Sequence, residues 1–89
     1  MTVRLIIVRH GNTFEPGEPV RRVGGRTDLA LSASGRAQAE ALGRRFAEDG
    51  FASARSGPLR RTRETAEAIL AAQSERRGSA PPLETDLFL

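Results

Sequence analysis

The chain has 89 residues and a mass of 9.6 kDa, enough for one domain and too little for a two-domain enzyme. It contains no cysteine, one histidine and no lysine, which excludes disulfide scaffolds, thiolate catalysis, Fe–S ligation, paired-histidine zinc motifs and the Gly-Lys-Ser/Thr phosphate loop. All 14 basic residues are arginine against 11 acids, a net charge of +3, so any phosphate chemistry here runs on guanidinium groups.

Residues 3–8 are apolar and largely β-branched apart from Arg4, the pattern of a buried parallel strand, and Arg9-His10-Gly11 follows as the loop at its carboxyl end. From 11 to 31 the chain is rich in glycine and proline and carries neither a helical nor a strand period, which predicts a long functional loop. Ser32 is suited to cap a helix over 33–49, and Gly50 stands where a left-handed cap would close it. The inward stripe of that helix is expected at Gln38 or Ala39, Leu42 and Phe46, with Arg36, Glu40, Arg44, Arg45 and Glu48 facing outward.

A short second strand is expected over 51–55. Ser56-Gly57-Pro58 then offers a capping hydroxyl and a first-turn proline, and Leu59, Thr62, Ala66, Ile69 and Leu70 keep helical spacing to about Gln73. Residues 74–82 read as a loop, and apolar residues return over 83–89 as the start of a new element. The order β-α-β-α predicts an α/β fold with a parallel sheet and helices on its faces. So few strands leave a sheet edge open, and an open edge tends to self-associate. No wholly apolar run exceeds five residues, far short of a membrane span, so the chain is expected to be soluble and cytoplasmic, with no membrane partner.

In open α/β sheets, ligands bind beyond the carboxyl ends of the strands, and Arg9-His10-Gly11 stands at that place. His10 offers an imidazole nitrogen and Arg9 a planar fork of donors for two phosphate oxygens. The second strand ends just before Arg60-Arg61, so parallel neighbours would bring Arg61 to the same end of the sheet. Neutral imidazole can attack phosphorus, giving a phosphohistidine that water then hydrolyses, with arginines stabilising charge on the equatorial oxygens. This scheme lacks a proton donor. Taken singly, Arg-His-Gly is more simply a surface histidine in a turn, Gly24-Gly25 a flexible turn, and Arg60, Arg63, Arg76 and Arg77 a solvated helix face. An arginine-rich nucleic-acid binder is disfavoured, because acids alternate with the arginines and there is no Tyr or Trp for stacking.

Three separated blocks together resemble the histidine phosphatase superfamily, the group that includes cofactor-dependent phosphoglycerate mutases. Arg9-His10-Gly11-Asn12-Thr13 is similar to its R-H-G-x-[ST] opening. Residues 22–39, including Gly25, Asp28, Leu31, Ser32, Gly35, Gln38 and Ala39, are similar to its R-x-x-G-x-x-D-x-x-L-[ST]-x-x-G-x-x-Q-A block. Residues 56–66 are similar to its S-x-P-L-x-R-x-x-x-T-A helix start.

The resemblance implies a three-layer α/β fold with a mainly parallel sheet, phosphoglycerate mutase-like, of which residues 1–89 are the N-terminal portion of a single domain. It implies His10 as the phosphorylated nucleophile, Arg9 and Arg61 as phosphate ligands, and Asn12, Gly24 and Gly25 as parts of the substrate pocket. The implied partner is a small phosphorylated substrate, with no nucleic acid, no cofactor and no metal. Asn12 stands where the family often has an acid, the loop to Arg22 is longer than in typical mutases, and no Trp-Asn follows Arg-His-Gly; a phosphomonoesterase is therefore expected rather than a mutase-like phosphotransferase. The family's second histidine is missing and Glu84 and Asp86 are the nearest carboxylates to its acid, so these residues are expected to be a truncated half, inactive by itself. The competing expectation is a non-catalytic phosphate-binding module.

Overall fold

Two helices and a two-stranded parallel sheet form the regular structure of residues 5–13 and 29–87, the residues described by the computed structural model. Helix α1 spans Ala33–Phe46, strand β1 Ala54–Ser56, helix α2 Arg60–Arg77 and strand β2 Leu83–Thr85. This is an α/β arrangement in which α2 is the crossover between the paired strands.

Helix α1 starts where its sequence predicts: the Ser32 hydroxyl accepts from the Gly35 N–H at 3.2 Å. It ends sooner than expected, at Phe46, with Ala47 still right-handed, and Gly50 does not act as a left-handed cap. That role falls to Gly78 at the end of α2, at φ 85°, whose N–H donates to the Ser74 carbonyl at 2.8 Å. The expected loop over 74–77 is instead the last turn of α2. Gln73, Glu75, Arg76 and Arg77 favour helix, and the glycine is the first residue to interrupt them.

Ser56 is not the cap of α2. It is the last residue of β1, its hydroxyl donates to the Gly57 carbonyl at 2.9 Å, and Leu59 takes the N-cap position with no side-chain hydrogen bond. Strand β1 also lies later than 51–55. Phe51 leaves the sheet and packs its ring on Phe46, with centroids 6.1 Å apart. The ladder runs Ala54↔Leu83 to Ser56↔Thr85, and the Asp86 N–H extends it to the Ser56 carbonyl at 2.9 Å.

The strand expected over 3–8 is not formed where it is described: residues 5–8 carry no strand pairing, while 3 and 4 lie outside the described residues. Leu5 and Ile7 are 80% and 85% exposed, whereas Ile6 and Val8 are half-buried. β-propensity measures fit to a neighbouring strand, and here β1 pairs with β2.

The core is the seam between α1 and α2. Gly35, Ala39 and Gly43 are buried on α1 and Thr65, Ile69, Leu70 and Gln73 on α2. A Cβ at Gly43 would stand 3.0 Å from both the Ala68 carbonyl oxygen and the Ala72 Cβ, so the helices meet nearly backbone to backbone. Close approach selects small residues for the seam, which rotates the buried stripe away from the expected Leu42 and Phe46; both are half-buried at its flank. Gln73, 1% exposed, donates from Nε2 to the Phe46 carbonyl at 3.0 Å and satisfies one of the carbonyls α1 leaves open at its end. Among the described residues no helix is long and apolar enough to cross a membrane.

Candidate functional site

Residues 10–12 lie against the N-terminal ends of both helices. A Cβ at Gly11 would stand 2.5 Å from the Gly35 carbonyl oxygen, and one at Gly35 would overlap the Asn12 backbone. Two glycines therefore allow the loop to rest directly on the first turn of α1.

Hydrogen bonds hold it there. The Asn12 N–H donates to Gln38 Oε1 at 2.8 Å, and the Asn12 carbonyl accepts from the Ser32 N–H at 2.9 Å and the Ser32 hydroxyl at 3.1 Å. The Asn12 side chain donates from Nδ2 to Ser34 Oγ at 3.3 Å. From the other side, Thr65 on α2 accepts from the Gly11 N–H at 3.1 Å and donates to the Arg61 carbonyl at 2.8 Å. The neighbouring Glu64 carboxylate accepts from the Leu31 N–H at 3.0 Å and from Arg36 Nη2 at 2.9 Å, with Arg60 Nε 3.6 Å away.

His10 is half-buried, and its Nδ1 lies 2.7 Å from the Gly11 carbonyl oxygen. A carbonyl can only accept, so Nδ1 carries a hydrogen, and in the neutral ring Nε2 then keeps its lone pair. That is the form of imidazole able to act as a nucleophile through Nε2. Both helix N-termini at this end bring the positive ends of their dipoles, and α2 opens with no side-chain cap on its first N–H groups.

Of the residues expected in the site, Gly11, which follows His10, and Arg61 are joined by their backbones through Thr65. Arg9 is exposed next to His10, Arg61 is half-buried on the first turn of α2, and Asn12 is engaged by α1. Gly24 and Gly25 lie outside the described residues. Glu84 is exposed and pairs with Arg55 at 3.5 Å, while Asp86 follows β2 beside the end of β1.

Thr65, Glu64 and Gln38 received no role from sequence reasoning. Thr65 and Gln38 do stand at fixed letters of the quoted blocks, which is the signal that could have found them; Glu64 has no such signal. A cavity of about 320 Å³ lies at the other ends of the helices, lined by Phe51, Gln73, Arg77 and Pro81 among others, and no expected site residue borders it. Among the described residues no three His, Cys, Asp or Glu side chains gather to hold a metal.

The family model of the histidine phosphatase superfamily (branch 1) matches residues 5–85, most of the chain. No curated protein matches it.

Proposed function

The chain belongs to the histidine phosphatase superfamily, and from that premise we propose that it is a phosphomonoesterase-type member that works through a phosphohistidine on His10. The observation that carries this reading is the 2.7 Å bond from His10 Nδ1–H to the Gly11 carbonyl, which leaves Nε2 as the nucleophile. The proposed architecture around it is a three-layer α/β fold with a mainly parallel sheet, and residues 1–89 are the N-terminal portion of that domain.

In the proposed reaction the Nε2 lone pair attacks the phosphorus of a monoester, the P–O bond to the alcohol breaks, and the alkoxide takes a proton from water as it departs. Water then attacks the phosphorus of the P–N intermediate, releasing inorganic phosphate and restoring the imidazole. Arg9 and Arg61 stabilise the charge spread over the equatorial oxygens, and the uncapped start of α2 adds its dipole. Asn12, Gly24 and Gly25 border the substrate. His10 is the only histidine in these 89 residues, so no second imidazole from them supports the transferring group. With neither that donor nor an assigned proton donor, the 89 residues alone should turn over slowly, by about 10² to 10⁴ in rate for each missing group.

Incubation with an aryl phosphate monoester tests the proposal. A phosphoryl label that is acid-labile, stable to alkali and lost in His10→Asn is the expected result. Phosphate binding without any label would identify a non-catalytic phosphate-binding module instead, and a label that survives in His10→Asn would remove His10 from the mechanism.

A further inference from the structure

We infer that Thr65 is a positioning residue for His10, acting through Gly11 to hold the imidazole in its reactive tautomer; this rests on the reading of His10 as the nucleophile. Three hydrogen bonds run in series from the imidazole to α2. His10 Nδ1–H donates to the Gly11 carbonyl at 2.7 Å, the Gly11 N–H donates to Thr65 Oγ1 at 3.1 Å, and the Thr65 hydroxyl donates to the Arg61 carbonyl at 2.8 Å. Gly11 is thus gripped on its N–H while its carbonyl grips the ring.

The direction of each bond is determined. A hydroxyl has one hydrogen, and the Arg61 carbonyl can only accept it, so a lone pair of Oγ1 is left for the Gly11 N–H. Bonding back to a carbonyl one turn earlier is a common habit of threonine in helices, and the branched Cβ restricts χ1. Thr65 is 3% exposed and Gly11 is buried, so water has little access to replace either partner. Without the hydroxyl, the Gly11 N–H would be buried and unpaired, and the peptide would turn to find a new acceptor. That N–H belongs to the His10–Gly11 peptide, so the rotation shifts His10 relative to the Gly11 carbonyl, which lies on the next peptide and is held through the Asn12 N–H by Gln38. A histidine free in water prefers its hydrogen on Nε2, which is the nitrogen needed for attack. The same threonine ties the chain segment bearing His10 to the backbone of Arg61, and so couples nucleophile and phosphate ligand in one rigid path.

The test uses the full chain, in which a single histidine gives a single imidazole spectrum. Long-range ¹H–¹⁵N correlation without phosphate present should show the Nδ1–H pattern in the unmodified protein and in Thr65→Ser. Thr65→Val should shift it toward Nε2–H while circular dichroism reports an intact fold. Labelling of His10 by the aryl phosphate should fall more than tenfold in Thr65→Val and recover in Thr65→Ser. A folded Thr65→Val that retains the Nδ1–H pattern overturns the inference. Should Thr65→Val fail to fold, the unmodified protein decides: a slowly exchanging Thr65 hydroxyl proton with a cross-peak to the Gly11 N–H supports the inference, and its absence overturns it. A tautomer that responds as expected in a protein that never takes up label overturns the nucleophile reading and leaves Thr65's hold on the ring established.

Discussion

The two halves of α2 are held by different balances of polar and apolar contact. Its first turns carry Arg60, Arg61, Glu64 and Thr65, and they reach the chain around His10 and Leu31 through directional hydrogen bonds and ion pairs. Its later turns carry Ile69 and Leu70 and meet α1 mainly across a close seam of small residues, where Gly43 comes against Ala68 and Ala72, with Gln73 adding one bond to the Phe46 carbonyl. Burial of apolar surface is cohesive but has little directionality, whereas a hydrogen bond specifies where an atom must be. The comparison therefore separates what keeps the protein folded from what gives the site its shape.

That separation can be broken, and the most severe test is in the seam. Ile69→Ala should lower unfolding stability by about 3 kcal/mol, read as a shift in the urea midpoint, because it removes a buried side chain and leaves a cavity. It should nevertheless leave the tautomer of His10 unchanged; a changed ring spectrum would mean the two halves are one unit. Gly35→Ala should cost about 2 kcal/mol, since the new Cβ meets the Asn12 backbone, and here the amide signals of Gly11 and Asn12 should move as well. Unmoved amides would show that the loop yields elsewhere.

Glu64→Gln sharpens the comparison at the polar end. The amide can still accept from the Leu31 N–H but loses charge against Arg36 and Arg60, so a cost of about 1 kcal/mol is expected, shrinking as salt is added. A salt-independent cost would point to the Leu31 bond instead. Arg76→Gln should be the mildest. Its partner Glu48 is 2.7 Å away, yet both side chains are largely exposed, and the change in midpoint should correspond to less than about 0.5 kcal/mol.

Local sequence signals served in part where one short segment decides the outcome, since Gly50 and Ser56, read as caps by the same logic, cap neither helix. Ser32 before an alanine-rich run marks the start of α1 correctly, because a cap is a contact between residues three apart. The stretch from Leu59 to Leu70 marks the body of α2 for the same kind of reason. Signals failed where a partner distant in the chain decides. Residues 5–8 have strand composition, but pairing depends on what lies alongside. The seam of α1 takes the expected Ala39 but also Gly35 and Gly43, because of how near α2 comes, which hydropathy does not encode. In the site, chemistry alone singled out Arg9, His10, Gly11 and Arg61, and of these the backbones of Gly11 and Arg61 meet at Thr65. Thr65 and Gln38 were not legible, since a polar side chain whose task is to hold another segment's backbone looks like any surface polar residue until both segments are seen together.

The bonds between Asn12 and Ser32 have an evolutionary corollary. They clasp the two stems from which the intervening stretch departs, one stem carrying the imidazole and the other opening α1. Once the stems are clasped, closure entropy rises only logarithmically with length, about 0.6 kcal/mol for each doubling. Insertions grafted between them can thus be tried and discarded cheaply, on a foundation that stays put.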